Sequence, residues 1–234
     1  MPAPPIHLRP ATDLAERVLL PGDPHRALAV AQDILDAPLM FNHARGLWGY
    51  TGRAPDGLPL PVQSTGMGGP SAAIVVEELI ALGALALIRI GPCGALEDGF
   101  ELGELVTAGA VLAADGSSAS LDAGRRLAPD PSLADALAAG GTRVVTAVST
   151  DLFYDPREGI DAEWRAAGAQ VVEMEGATVL ALARRRGVAG AVVLAVSDLL
   201  TDGVRRRIDR DELERAGIAL VRAGFAALAK GLSR

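Results

Sequence analysis

The chain has 234 residues, half of them hydrophobic and 22% charged, which supplies enough apolar material for one large domain spanning residues 1–234. Its net charge of −7 argues against the basic surface that general nucleic-acid binding requires. The single cysteine, Cys93, permits no internal disulfide, and we find neither a signal-like N-terminus nor a long uncharged apolar run. We therefore expect a cytoplasmic protein without a membrane or nucleic-acid partner.

The first third of the chain predicts a strand, a helix, a hairpin and a second helix. Residues 17–20 (RVLL) form a short apolar run typical of a strand, and helical periodicity follows over residues 25–35. The turn signal APDG separates two extended segments between residues 46 and 66, which predicts a hairpin. Residues 69–83 predict a helix with Pro70 near its first turn.

The remainder alternates apolar strands with helices. Residues 84–91 (ALALIRIG) are apolar except for Arg89, which is typical of a buried central strand. Further strands are predicted over residues 103–113, 142–149, 169–174 and 190–198, and helices near residues 131–139, 175–187 and 211–232. This alternation predicts a single α/β domain, with a mostly parallel twisted sheet flanked by helices on both faces.

Polar residues at strand ends are candidate ligands, because open α/β sheets bind ligands beyond the carboxyl ends of their strands. Gly22 and Arg26 follow the first strand in GDPHR, which is either an anion cradle or an ordinary turn capped by Asp23. Arg89 lies within a buried strand and needs an anion. A structural salt bridge to one of the nearby glutamates, Glu77 or Glu78, would also meet that need.

Acids and an aromatic residue follow the later strands. Glu173 and Glu175 flank Met174, and a buried carboxylate at either position requires a polar partner. Asp198 ends the last apolar strand, and Phe153 offers a stacking surface in a chain that is only 3% aromatic. These residues offer positive charge for an anion, acids that can bind hydroxyl groups or donate a proton, and a ring for stacking. Together they fit a site where a ribonucleoside meets phosphate.

Other chemistry finds less support in the sequence. The three histidines show no metal-ligand spacing, so we predict no metal. No Cys-His-Asp set accompanies Cys93, which we interpret as an inert small residue. The absence of a G-x-G-x-x-G after the first strand and of a P-loop argues against a bound dinucleotide or ATP. A non-catalytic nucleoside binder remains an alternative.

Six ordered motifs resemble the nucleoside phosphorylases of the purine nucleoside/uridine phosphorylase family. They are LLPGDPHRA, STGMGGPSAAIVVEEL, RIGPCGAL, STDLFYD, VVEMEGATVLALA and AVSD, and the resemblance extends from about His7 to Asp198. It implies an α/β fold around a mixed, partly barrel-like sheet, and a homohexamer built as a trimer of dimers. It also implies reversible phosphorolysis of purine nucleosides to free base and (deoxy)ribose 1-phosphate, with phosphate as a substrate and no cofactor.

The same resemblance implies a role for individual residues. Phosphate would be held by Gly22, Arg26, Arg89 and Gly91, and by Arg45 from a neighbouring subunit. Ribose would be held by Glu175, Met174, Met67 and Glu173, and by His7 from a neighbouring subunit; for Glu173 a structural hydrogen bond is the open alternative. The base would contact Phe153, Ser197, Cys93 and Gly94. Asp198 would act as the general acid that protonates purine N7.

Two departures from the family pattern leave alternatives open. Pro92 stands where relatives usually carry Ser or Thr, and proline offers phosphate neither a hydroxyl nor an amide donor. A nucleosidase of the same superfamily, which uses water, therefore remains possible, although hydrolysis has no need for three arginines. The arginine that assists the acid in some relatives has no single counterpart here. The candidates are Arg205, Arg206, Arg207 and Arg210.

A uridine phosphorylase is a further alternative, which two features of the sequence disfavour. Uridine phosphorylases carry a Gln/Arg pair in an insertion after the FY motif, and the only nearby glutamine here is Gln170. They also generally lack the acid found here in Ser197-Asp198. The sequence leaves open the choice between 6-oxo and 6-amino purines and among ribose, deoxyribose and methylthioribose.

Overall fold

Strands and helices alternate along the chain in the computed structural model, which describes residues 5–10, 12, 14–201 and 205–231. The strands are β1 (Arg17–Pro21), β2 (Asp36–Asn42), β3 (Gly49–Arg53), β4 (Val62–Gln63), β5 (Ala86–Ala95), β6 (Leu105–Ala114), β7 (Arg126–Leu127), β8 (Arg143–Thr150), β9 (Val171–Glu173), β10 (Ala189–Leu199) and β11 (Arg206–Arg207). The helices are α1 (Pro24–Ile34), α2 (Gly69–Ala81), α3 (Gly116–Ser120), α4 (Pro131–Ala139), α5 (Ile160–Ala166), α6 (Gly176–Arg186) and α7 (Arg210–Gly231), with a 3₁₀ turn at Ala44–Gly46.

The predicted strands and helices are confirmed, with small shifts at their ends. β5 continues to Ala95, four residues beyond the predicted end, because its GPCGA segment stays paired with β10 despite its turn-forming composition. The predicted end of the last helix at residue 232 lies outside the described residues. The sequence analysis missed β2, whose first five residues are exposed and therefore show no buried apolar run. It also missed the short elements α3, α5, β7 and β11.

Part of the sheet closes on itself. β5, β10, β6, β8 and β9 pair in a ring, because β10 joins both β5 and β6 while β9 joins both β8 and β5. β1, β4, β3 and β2 extend from β5 as an open arm. The pairings β5–β10, β6–β8 and β8–β9 are parallel, and the antiparallel pairings β6–β10 and β5–β9 complete the ring. The expectation of a mixed, partly barrel-like sheet is confirmed.

Helices cover both sides of this sheet. One apolar cluster joins β1, β5 and β10 to α1, α4 and α7, and two others pack β5, β6 and β10 against α2 and α6. Residues 176–183 of α6 are all buried, which is the pattern of a helix enclosed on every side. None of the helices in the described part of the chain combines the length and apolar character that crossing a bilayer requires.

The half-buried N-terminus of α4 provides a test of the local structure. Asp130 is the N-cap, and its Oδ1 accepts the N–H of Leu133 at 3.0 Å. We expect Asp130→Ala to lower the free energy of unfolding by about 1 kcal/mol, because one amide at the helix start loses its partner. Urea unfolding would measure this loss. Asp135→Ala, at an exposed position in the same helix, is the control and should change stability by less than about 0.5 kcal/mol. Equal effects of the two substitutions would contradict the capping role.

Candidate active site

A buried ion pair joins Arg89 of β5 to Glu175, which immediately precedes α6. The two residues are 3% and 4% exposed, and Arg89 Nη2 donates a short hydrogen bond to Glu175 Oε2. Arg89 Nη1 donates to the carbonyls of Leu20 and Ile90, at 3.4 and 3.2 Å. Glu175 Oε1 accepts the N–H of Gly68, at the start of α2, at 2.6 Å. The pair therefore connects β5, α2 and α6 at one point.

The alternative salt bridge from Arg89 to Glu77 or Glu78 is wrong. Glu77 pairs with Arg186, with Nη2 and Oε2 2.7 Å apart. Glu78 instead accepts hydrogen bonds from the N-terminal segment, including His7 Nδ1 at 2.7 Å. Both acids lie on α2. They are close to Arg89 in the sequence, but their described ion pairs are with other residues.

The Arg89 guanidinium packs against two glycines. A Cβ at Gly91 would lie 2.8 Å from Nη2, and a Cβ at Gly22 would lie 3.2 Å from Nη1. Any larger residue at Gly91 would displace the guanidinium or the strand. This close approach explains the glycines at both predicted phosphate-binding positions.

Positive charge accumulates beside the ion pair. Burial and the neighbouring charge of Arg89 lower the pKa of Arg26, against the opposing effects of Asp23 and Glu175. Arg89 Nε is buried and has no hydrogen-bond partner among the described residues. Two arginines that repel each other, one with an unused donor, form a region suited to an anion.

Glu173 and Ser149 form a second buried set of hydrogen bonds around the start of α6. Glu173 accepts the N–H groups of Glu175 and Gly176 at 2.8–2.9 Å and a short hydrogen bond from Ser149 Oγ. Ser149 Oγ in turn accepts the N–H of Ala177 at 2.8 Å. Burial, and then the nearby charge of Glu175, raise the pKa of Glu173.

Asp198 lies at an irregularity in β10. Val196 pairs with Cys93 and Asp198 with the next residue, Gly94, so Ser197 is an extra residue in the strand. Consecutive side chains of a regular strand point to opposite faces, but this bulge places Ser197 Oγ 2.7 Å from Asp198 Oδ2. Asp198 is 4% exposed, and the bulge directs its carboxylate toward the side chain of Arg205.

Arg205 links the acid to the predicted base-stacking ring. Its Nε donates to Asp198 Oδ1 at 2.8 Å, while its guanidinium carbon lies 4.4 Å from the centre of the Phe153 ring. Arg207 Nε is farther away, 4.0 Å from the same carboxylate oxygen. Arg210 pairs with Glu214 instead. The sequence left four arginines as candidates. Within the described residues, Arg205 is the one that lies closest to the Asp198 carboxylate.

Cys93 and Gly94 lie between the two parts of the site. Cys93 is 3% exposed, and burial, together with the charges of Glu173, Asp198 and Glu104, raises the pKa of its thiol well above the usual value. A Cβ at Gly94 would lie 2.7 Å from Leu200 Cδ1, so a larger residue would not fit without displacement there. Pro92, beside them in β5, is half-buried.

The other predicted contact residues lie toward the surface. Met67 is 85% exposed, Phe153 is 48% exposed and Met174 is half-buried. Arg45 is exposed in the 3₁₀ turn, with a φ of 56° that non-glycine residues rarely adopt. His7 is held in its own chain by Glu78, as described above.

Two groups in contact with these residues were missed in the sequence analysis. One is the N–H of Gly68, a backbone donor that no side-chain pattern reveals. The other is Ser149, a fully buried residue near the end of β8, which appeared in the sequence analysis only within the STDLFYD motif. Its position opposite Glu173 in the β8–β9 pairing became visible only in the fold.

The chain belongs to the phosphorylase superfamily, whose family model matches residues 16–231. A purine nucleoside phosphorylase DeoD-type of Alkaliphilus metalliredigens is 36% identical over 200 residues, covering 82% of this chain and 85% of the relative. The corresponding protein of Caldanaerobacter subterraneus subsp. tengcongensis is 37% identical over 208 residues, covering 82% and 86% of the two chains. A guanosine phosphorylase of Halorubrum lacusprofundi is 33% identical over 207 residues, covering 86% and 85%.

The raised pKa of Cys93 predicts an unreactive thiol in the folded protein. Only the thiolate is nucleophilic, and burial keeps this sulfur protonated and out of reach of reagents. We expect iodoacetamide near pH 8 to modify the native protein on the order of 100-fold more slowly than the urea-unfolded chain. Mass spectrometry can follow the reaction without ambiguity, because the sequence has one cysteine. Equal rates for the native and unfolded forms would contradict this burial.

Proposed function

We propose that the protein is a purine nucleoside phosphorylase. It cleaves the N-glycosidic bond of a purine nucleoside with inorganic phosphate and yields the free base and ribose 1-phosphate, in a reversible reaction. The observation that carries the proposal is the buried contact of Arg89 with Glu175, because it puts an anion-binding group beside a hydroxyl-binding group. The relatives named as purine nucleoside and guanosine phosphorylases support the same reaction.

In this proposal the arginine side of the site binds phosphate. Arg89 and Arg26 supply positive charge, and Arg89 Nε supplies a donor that has no partner among the described residues. Gly22 and Gly91 allow the Arg89 guanidinium to lie against the backbone, since neither carries a Cβ, and so set the position of the phosphate-binding group. A phosphate oxygen then attacks the anomeric carbon while the bond from that carbon to the base nitrogen breaks.

The glutamate side binds the ribose. Glu175 accepts hydrogen bonds from the 2′- and 3′-hydroxyls, and bonds to an ionised carboxylate are stronger than neutral ones. Met67 and Met174 provide apolar contact for the sugar. Phosphate charge stabilises the positive charge that develops on the ribose as the glycosidic bond lengthens.

The base is held and protonated at the other end of the site. Phe153 stacks on the purine, and Ser197, Cys93 and Gly94 line its edge. Protonated Asp198 donates its proton to purine N7. The protonated base then takes up the electron pair of the breaking glycosidic bond and leaves as a neutral purine. Arg205 stabilises the carboxylate that Asp198 becomes, which the 2.8 Å contact between the two side chains supports.

A nucleosidase that uses water remains the second candidate, and Pro92 is the observation that favours it. A hydrogen bond to a charged group contributes about 1.5–3 kcal/mol, so a missing donor at this position would weaken phosphate binding more than tenfold. The closeness of Arg26 to Arg89 favours phosphorolysis, because water needs no pair of positive charges.

We further propose that the protein is located in the cytosol and forms a homo-oligomer, specifically a hexamer. Arg45 and His7 would complete the phosphate and ribose sites of a neighbouring subunit. Arg45 is exposed on a turn, and Glu78 binds Nδ1 of His7, whose Nε2 has no partner among the described residues, which supports this sharing. Phosphate is a substrate here, and the proposed reaction requires no metal or other cofactor.

Product analysis tests the reaction itself. Inosine, guanosine and adenosine are each incubated with the protein in the presence and absence of phosphate, and the base and sugar products are quantified. We expect base release that requires phosphate and yields ribose 1-phosphate. Release of base together with free ribose at an equal rate without phosphate would instead establish the nucleosidase.

Substitution of the proposed acid tests the leaving-group step. We expect Asp198→Asn to lower kcat/KM for inosine by about 10²–10⁴-fold, because asparagine cannot transfer the proton. Nucleoside binding, measured by calorimetry, should persist. Asp36→Asn, which changes an exposed acid of β2 at the opposite end of the sheet, is the matched control. Wild-type turnover by Asp198→Asn would refute the assigned role.

A further inference from the structure

Glu175 occupies the N-cap position of α6 without capping it. An N-cap side chain ordinarily accepts an N–H from the first turn of its own helix. Glu175 makes no such bond, and its two carboxylate oxygens instead meet Arg89 and the N–H of Gly68. The first turn of α6 must therefore find its acceptors elsewhere.

Those acceptors come from Glu173 and Ser149. Glu173 accepts the N–H groups of Glu175 and Gly176, and Ser149 Oγ accepts the N–H of Ala177. The hydroxyl of Ser149 also donates to Glu173, so the two side chains form one connected acceptor. The parallel pairing of β8 with β9 sets Ser149 opposite Glu173 and fixes this arrangement.

We propose that Glu173 and Ser149 are positioning residues for the ribose-binding carboxylate of Glu175. They cap α6 in its place, and so leave the Glu175 side chain free to face Arg89 and the substrate. The inference rests on the proposed function, in which Glu175 binds the ribose hydroxyls. It replaces the direct sugar contact that the sequence suggested for Glu173.

The contacts of Glu173 favour positioning over direct binding. Each carboxylate oxygen of Glu173 accepts two hydrogen bonds from the protein, whereas each oxygen of Glu175 accepts one and keeps capacity for a substrate hydroxyl. Ser149 is fully buried, so it cannot touch a substrate. A direct-contact role for Glu173 therefore predicts that removing the Ser149 hydroxyl costs much less than removing the Glu173 carboxylate, whereas the positioning role predicts losses of similar size.

The test compares Glu173→Gln, Ser149→Ala, the double variant and Asp130→Ala. Asp130→Ala removes a helix cap of similar kind from α4, outside the proposed site. Phosphorolysis of guanosine and of 2′,3′-dideoxyguanosine is measured for each protein, since the second substrate lacks both hydroxyls that Glu175 would bind.

We expect Glu173→Gln and Ser149→Ala each to lower kcat/KM for guanosine by about 10–100-fold, because a small misplacement of a binding group is costly. The double variant should lose little more than the worse single variant, since both act through one capping unit. The losses for the dideoxynucleoside should be much smaller. Asp130→Ala should match the wild-type protein on both substrates.

Three results would overturn the inference. Wild-type activity of Ser149→Ala together with a loss in Glu173→Gln would indicate direct contact by Glu173. An equal loss in Asp130→Ala would indicate a general effect of stability. Equal losses on both substrates would show that the effect does not act through Glu175.

Hydrogen–deuterium exchange separates this inference from the proposed function. The peptide spanning residues 174–182 should exchange faster in Glu173→Gln and Ser149→Ala, but not in Asp130→Ala, because only the first two lose acceptors at α6. Unchanged exchange would refute the capping role whatever the activity. A wild-type protein that releases no base with phosphate would refute the proposed function alone, and the exchange result would still decide whether these residues cap α6.

Discussion

The buried ion pair of Arg89 and Glu175 is the interaction on which the rest of the site depends. Two charges removed from water are tolerated only when they are paired and their remaining hydrogen-bonding groups are largely satisfied. Here the pair is completed by main-chain carbonyls on the arginine side and by the N–H of Gly68 on the glutamate side. Loss of either partner would leave a buried charge, at a typical cost of about 3–5 kcal/mol. The pair thus links stability to the geometry of the proposed site.

Closure of the sheet brings the contributing segments to this pair. β5 lies between β1 and β10 and also pairs with β9, so residues far apart in sequence become neighbours along a single strand. The proposed phosphate-binding residues Gly22 and Arg26 follow β1, Glu175 follows β9, and Asp198 lies on β10. The bulge at Ser197 then directs the acid to Arg205. In the proposed function, this one closed sheet contributes groups to the anion, sugar and base sites.

Much of this architecture could be predicted from the sequence because long apolar runs dominate its strands. The need of Arg89 for an anion also followed from its position in such a run. The identity of its partner could not be predicted, because Glu77 and Glu78 are closer to Arg89 in the sequence. Closure of the sheet instead brings Glu175 into contact with Arg89. β2 escaped prediction because its exposed residues carry no periodic signal.

The finer parts of the site depend on features that no residue pattern reports. A backbone donor such as Gly68 has no side-chain signature, and the partnership of Ser149 with Glu173 exists only through strand register. The choice of Arg205 over Arg206, Arg207 and Arg210 depends on the path of the chain after β10. The six motifs pointed to the reaction, whereas the hydrogen bonds of the fold indicate how the proposed groups are oriented.

The proposed mechanism depends most directly on an anion site in which phosphate competes with Glu175 for Arg89. Isothermal titration of inorganic phosphate into the wild-type protein and into Glu175→Gln measures that competition. We predict saturable binding to the wild-type protein and tighter binding to Glu175→Gln, because a neutral amide attracts Arg89 less and does not repel phosphate. The absence of saturable phosphate binding to both proteins would contradict the account.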